Sequence, residues 1–114
     1  MVDFGAGVGS EQSGVRPALV ISNDGFNRRF PLATILPFMK LAGKQRSTYP
    51  FEIVMPAGIA GNPVASIVMP HQARTVSRRR LLRRIGRLGA PHLQAEIEDR
   101  LLDHFGVGFE TDDD

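Results

Sequence analysis

Only one stretch of this chain repeats its apolar residues at helical spacing, and it comes late. Leu93, Ile97, Leu101 and Phe105 recur every four residues behind Pro91, laying one apolar stripe along a helix face, broadened by Leu102. Pro91 suits the first helical turn, where a missing N–H costs nothing, and Gly106 suits the stop. Glu96 and Arg100 stand i to i+4 on the same helix. Everything before it is short apolar runs cut by Gly, Pro and Asn. Such a pattern has strands enough for one β body and one helix to lie against it. The expected class is mainly β with a C-terminal helix, a small barrel or sandwich.

The runs can be placed. Residues 1–7 alternate Val2 and Phe4 around Asp3, the last few residues of a strand and too few for a whole one. Residues 18–22 are a central strand, Asn23-Asp24-Gly25 a turn, and residues 32–38 the next strand. Pro37 cannot donate to a ladder, so that strand is expected at an edge or to end there. Residues 40–47 are polar and basic, a surface loop. Residues 50–55 and 65–69 are further strands, joined by a connection rich in Gly, Pro and Asn. Residues 78–83 suit a short helical turn and 84–88 a final short strand.

At 114 residues the chain suits one domain, residues 1–109, followed by an acidic tail over 110–114 expected to lack order. No apolar run approaches the roughly 20 residues that cross a bilayer, and no leader opens the chain. Without cysteine there are no disulfides or thiolate metal sites, and a cytoplasmic location is the default. His71, His92 and His104 are scattered without ligand spacing, so no metal and no cofactor is expected.

Net charge is only +2, but it is unevenly spread. Seven arginines and no acid lie between Arg74 and Arg87, while eight acids and one base, Arg100, follow His92. Guanidinium offers phosphate a planar fork of donors, so one surface suits phosphate. The plainer reading has these arginines solvating a turn and pairing with the acidic segment of the same chain.

The loop over residues 9–16 is the other marked feature. Glycines and small polar residues present one carboxylate, Glu11, and one guanidinium, Arg16, at the mouth of a buried strand. A charged pair there positions an acid and a base in many small enzymes, and braces a loop in many ordinary proteins.

Gly9-x-Glu11-Gln12-x-Gly14-x-Arg16-Pro17-Ala18-Leu19-Val20-Ile21-Ser22-Asn23-Asp24 resembles the first signature of the MazF/PemK family of toxin endoribonucleases. Ser66-Ile67-Val68-Met69-Pro70-His71-Gln72-Ala73-Arg74-Thr75-Val76, followed by Arg80-Leu81, resembles the second. Their order and separation match, and the resemblance covers nearly the whole chain. It implies an SH3-like barrel and a homodimer whose interface groove holds single-stranded RNA. It also implies metal-independent cleavage of mRNA at short sequences, leaving a 2′,3′-cyclic phosphate and a 5′-hydroxyl. The partner it implies is an antitoxin whose acidic C-terminal segment fills the RNA groove, with DNA reached only through that complex and no membrane involved.

Cleavage by the RNA's own 2′-hydroxyl needs a base, an acid and positive charge on the phosphorane. Arg16 matches the family's catalytic arginine, and a guanidinium keeps its charge, so stabilising the phosphorane is its natural role. Glu11 matches the acidic position and is either a base or the orienter of Arg16. Gln12, Ser13, Gln72 and Arg74 are the candidate RNA contacts; Gln72 has the plainer alternative of bonding loop backbone. Thr75 suits a strand end, and His71 a partly exposed structural histidine rather than a general base.

Two departures bear on activity. Where many members carry a threonine or serine that donates to the scissile phosphate, this chain has Met39, which donates nothing; Ser47 and Thr48 are the nearest substitutes. The first strand also starts about ten residues short of the family's, which leaves an upstream start or an open barrel as alternatives. A catalytically impaired binder of RNA or antitoxin is therefore the second hypothesis. A gyrase poison on the same barrel is the third, and the loop motif disfavours it.

Overall fold

The computed structural model describes residues 1–6, 14–41 and 52–106. Among them, short strands surround one long one. The strands are β1 (Val2–Asp3), β2 (Val15–Arg16), β3 (Ala18–Val20), β4 (Leu32–Lys40), β5 (Ile53–Met55), β6 (Ser66–Val68) and β7 (Arg74–Ser77). Two helices join them, α1 (Asp24–Arg29) and α2 (Pro91–Phe105), with three short 3₁₀ turns at Ile59–Gly61, Pro70–Gln72 and Arg78–Arg80. The mainly β body with its C-terminal helix is as expected.

The nine residues of β4 organise the sheet. On one side β4 pairs antiparallel with β3, Leu19 facing Leu36. On the other it pairs first with β7, from Leu32↔Ser77 to Ile35↔Arg74, then with β6, from Phe38↔Val68 to Lys40↔Ser66. β5 completes the sheet beyond β6. Pro37 therefore corrects the sequence expectation, because it is fully buried inside a strand that neither ends there nor lies at an edge. Its ring nitrogen falls at the seam where β7 hands over to β6, so no ladder bond is lost. Its carbonyl accepts from the Met69 N–H at 3.2 Å on that same side.

Three further expectations are corrected. Asn23-Asp24-Gly25 is the start of α1 rather than a turn: the Asn23 side chain caps the Phe26 N–H at 2.8 Å, with Asp24 in the first turn and Arg28 and Arg29 in the last. Residues 84–88 form no strand. Leu81 makes a single bridge to Val2, and the chain beyond crosses the 60–61 turn backbone on backbone. There an added Cβ on Gly86 would sit 2.2 Å from the Ala60 carbonyl oxygen, and one on Gly61 1.9 Å from that of Ile85. That approach demands glycine at both crossings. Finally, the helical stripe is buried at one end only. Leu93 and Ile97 pack with Leu36, Phe38, Ile53, Met55, Val68 and Leu88, whereas Phe105 is 61% exposed and Leu102 half exposed.

α2 itself begins at Pro91 and ends on Gly106, whose φ of 63° supplies the left-handed cap. A second, smaller cluster of Val2, Phe4, Ile35 and Val76 anchors β1 to the sheet. No helix among the described residues is long and apolar enough to cross a membrane.

Candidate functional site

β2 places Arg16. Val2 faces Arg16 across the β1–β2 pair, and the Phe4 N–H bonds the Gly14 carbonyl at 2.9 Å while the Gly14 N–H bonds that of Gly5 at 2.8 Å. These bonds close the root of the loop that carries Glu11, Gln12 and Ser13, three residues that themselves lie outside the described ones. The chain then runs through Pro17 into β3. The Phe38 N–H donates to the Pro17 carbonyl at 3.1 Å, so the β3–β4 register of Ala18↔Pro37 carries on past β3. Two residues further it sets Arg16 opposite Met39, which is itself paired with Ile67 of β6. Arg16 is half-buried, as is Met39.

Arg74 approaches the same loop root from the other strand. It starts β7 opposite Ile35, and its guanidinium lies 5.6 Å from the centre of the Phe4 ring, a cation–π distance. Arg80 adds a third guanidinium, donating from Nη1 to the Asp3 carbonyl at 3.2 Å. The Arg74 and Arg80 guanidinium groups thus both lie against residues 3–4, beside the strand pair in which Val2 faces Arg16. Sequence reasoning named Arg16 and Arg74 but missed Phe4 as the platform beneath Arg74. The signal was present in its alternation with Val2, which put both on the buried face of β1.

The remaining candidates separate. Thr75 pairs with Thr34 across the sheet, hydroxyl to hydroxyl at 2.8 Å, a strand residue as expected. Gln72 ends the Pro70–Gln72 turn, with its N–H on the Met69 carbonyl at 3.0 Å. His71, in the same turn, belongs to the helix side: α2 packs on this turn. Burial pushes the His71 pKa below its ordinary value, and His104 lowers it further, while Glu52, itself buried, pulls it back up. That environment suits a structural histidine better than a base. Ser47 and Thr48 lie outside the described residues. Among those described, no three His, Asp or Glu side chains gather as metal ligands would.

A mainly β body with one C-terminal helix, carrying arginines at the root of a loop, defines the class of fold. The chain belongs to the PemK-like, MazF-like toxin family of type II toxin–antitoxin systems, whose model matches residues 1–105. It is 33% identical over 111 residues to the endoribonuclease MazF9 of Mycobacterium tuberculosis, covering 93% of this chain and 91% of that one. It is 35% identical over 99 residues to the endoribonuclease EndoA of Bacillus subtilis, covering 87% of this chain and 79% of that one. The crystal structure of MazF from Deinococcus radiodurans superposes with a TM-score of 0.76 at 28% identity, covering 93% of this chain and 90% of that one. A crystal structure of MazE–MazF from the same organism gives a TM-score of 0.68 at 26% identity, covering 83% and 85% of the two chains.

Proposed function

We propose that this chain is the toxin of a type II toxin–antitoxin pair and that it cleaves single-stranded RNA in the cytoplasm. In this reading the RNA's 2′-hydroxyl attacks its own 3′-phosphate and the 5′-oxygen leaves. The products are a 2′,3′-cyclic phosphate and a 5′-hydroxyl, and no metal or other cofactor takes part. One observation supports it above the rest: Arg16 stands at the foot of the loop on β2, and Arg74 lies over Phe4 at the root of that loop. Arg16 serves the phosphorane, Arg74 an adjacent phosphate. Glu11, Gln12 and Ser13 reach the RNA from the loop, with Glu11 as the base or the orienter of Arg16, and Gln72 adds a contact from its turn. The family supports a homodimer as the working form and an antitoxin as the second partner, its acidic C-terminal segment competing with RNA and carrying the toxin to DNA.

The test is direct. Purified protein incubated with single-stranded RNA in EDTA should yield cyclic-phosphate ends, and Arg16→Ala should abolish them. Folded, dimeric wild type that leaves the RNA intact would refute the cleavage. Met39 favours a second reading, in which the groove grips RNA or antitoxin without cutting. Salt-sensitive RNA binding without products would establish that reading instead.

A further inference from the structure

Met55 and Met69 are sealed in the core, at 0% and 2% exposure. Met39 is only half-buried, although it lies in β4, the strand around which the sheet is built. Its neighbours follow from the strand registers. On the β6 side Met39 faces Ile67, and Ile67 faces Val54 of β5. On the other side the β3–β4 register, carried past Pro17, sets it opposite Arg16. Residues directly opposite share a face of the sheet, so Arg16, Met39, Ile67 and Val54 form one row.

The Arg16–Met39 pair is of the close kind. The Phe38 N–H on the Pro17 carbonyl makes 17 and 38 a hydrogen-bonded pair, so the next pair along, 16 and 39, is a non-hydrogen-bonded one. The backbone polar groups of Arg16 turn instead to β1, in the Val2↔Arg16 pair. In pairs of this kind the Cα atoms stand about 4.5 Å apart and the side chains are at their closest. The thioether and the guanidinium therefore spring from adjacent stems on one face. Ile67 and Val54 are apolar, so Arg16 is the side-chain donor that this row offers to Met39.

A thioether accepts hydrogen bonds only weakly, so Met39 as it stands makes little claim on the guanidinium. Its sulfoxide is polar and presents a strong acceptor oxygen. We propose that Met39 is a site of reversible oxidation that governs Arg16: a hydroperoxide converts the thioether to a sulfoxide, whose oxygen accepts from the guanidinium and withdraws it from phosphate. In that step a sulfur lone pair attacks one peroxide oxygen. The S–O bond forms as the O–O bond breaks, and the other oxygen leaves as water, or as an alcohol from an organic peroxide. Sulfur loses two electrons and the peroxide gains them. Repair removes the oxygen as water while a pair of thiols becomes a disulfide. Burial shields Met55 and Met69, and of the more open methionines Met39 is the one paired with Arg16. This regulation rests on Arg16 as a phosphate-binding residue, a role that the cutting and the gripping readings share.

The protein is treated with graded hydrogen peroxide, and the sulfoxide at each methionine is quantified by peptide mass spectrometry. Met39 should oxidise about tenfold faster than Met55 and Met69. Cleavage of single-stranded RNA in EDTA should then fall about tenfold or more. Methionine sulfoxide reductases for both epimers, supplied with dithiothreitol, should restore it. Met39→Leu, compared with its own untreated sample, should lose nothing to the same dose. Binding is read separately with a fluorescein-labelled 2′-O-methyl RNA, which cannot be cut because its attacking hydroxyl is blocked. In oxidised wild type the slope of log affinity against log salt should flatten by one phosphate contact, about 0.7 for a single strand. Met39→Gln, whose amide oxygen stands in for that of the sulfoxide, should flatten it without peroxide. Untreated Arg16→Ala should flatten it equally, and oxidation should then add nothing. If wild type binds this RNA but cuts none, the slope alone decides: flattened by oxidation it upholds the site, unchanged it overturns it. An unchanged slope in Arg16→Ala would overturn the phosphate role of Arg16, and the regulation with it. Equal loss of activity in oxidised Met39→Leu, or oxidation of Met55 and Met69 as fast as Met39, would overturn the site as well.

Discussion

Replacing Met39 by threonine should raise the rate at which the protein cleaves RNA. Met39 is half-buried near the end of β4, paired with Ile67 and set opposite Arg16 by the continued β3–β4 register. Threonine suits a strand and loses about two methylene equivalents of half-buried side chain, a stability cost of about 1 kcal/mol. The fold should therefore survive. What the hydroxyl adds is a donor facing the position of Arg16, and one preorganised donor to a phosphorane oxygen is worth about 10²–10³ in rate. Single-turnover cleavage of a labelled single-stranded RNA in EDTA should accelerate about a hundredfold. Met39→Leu, which conserves volume, should match wild type, and Arg16→Ala should remove the gain. A folded Met39→Thr protein that cuts no faster than wild type would refute the reasoning, because position 39 would then not be the second half of the site.

Gly86→Ala should destabilise by about 2–3 kcal/mol, since its Cβ would meet the Ala60 backbone. Gly89→Ala, with nothing within 4 Å, should be neutral or stabilise by up to about 1 kcal/mol. Denaturant midpoints that move together would contradict the crossing. Ile97→Ala removes a buried anchor of α2 and should cost about 3 kcal/mol, whereas Phe105→Ala should stay within about 0.5 kcal/mol; urea titration separates the two. Acid should weaken the fold through His71. Burial and His104 hold its folded pKa below the ordinary 6.5, against the pull of Glu52, so below that pH the unfolded chain binds the proton more readily. The contribution is whole above pH 6.5 and is lost as pH falls from there towards the folded pKa. His71→Gln should flatten the decline in urea midpoint between about pH 7.5 and 5.5, and a decline parallel to wild type would exclude His71 as its source.

Legibility followed the range of the interactions. α2 was readable to its caps because its stripe, its first-turn proline and its terminal glycine are all local. Asn23-Asp24-Gly25 was ambiguous for an equally local reason: the same short side chains start turns and cap helices, and only the docking of α1 decides. The Ser22 and Asn27 side chains bond each other at 2.6 Å, and the Thr34 N–H bonds the Ser22 hydroxyl at 2.9 Å, holding α1 to β4. Pro37 misled because a proline is judged by its own strand, whereas its place was set by two other strands meeting beside it. Residues 84–88 alternate like a strand but lack a partner, which no single segment reveals. At the site, Arg16 and Arg74 were named from motifs. The register that sets Arg16 opposite Met39, and the Phe4 ring under Arg74, are products of pairing between distant segments.

That dependence on pairing also shows what the site rests on. Arg16 sits on a two-residue strand whose partner, β1, is two residues long. β1 in turn is secured by one buried pair, Val2 and Phe4, and by its bonds to residues 81–83. A ladder this short gains little from its own hydrogen bonds, each worth only about 1 kcal/mol net. Burying Val2 and Phe4 in the cluster with Ile35 and Val76 contributes more, about 1.5–3 kcal/mol for each side chain. Two apolar residues of the first strand thus hold the backbone on which the charged residue stands. Phe4 does so twice, once by packing beneath the sheet and once by presenting its ring to Arg74. The placement of Arg16 and Arg74 is thus set by the apolar residues Val2 and Phe4.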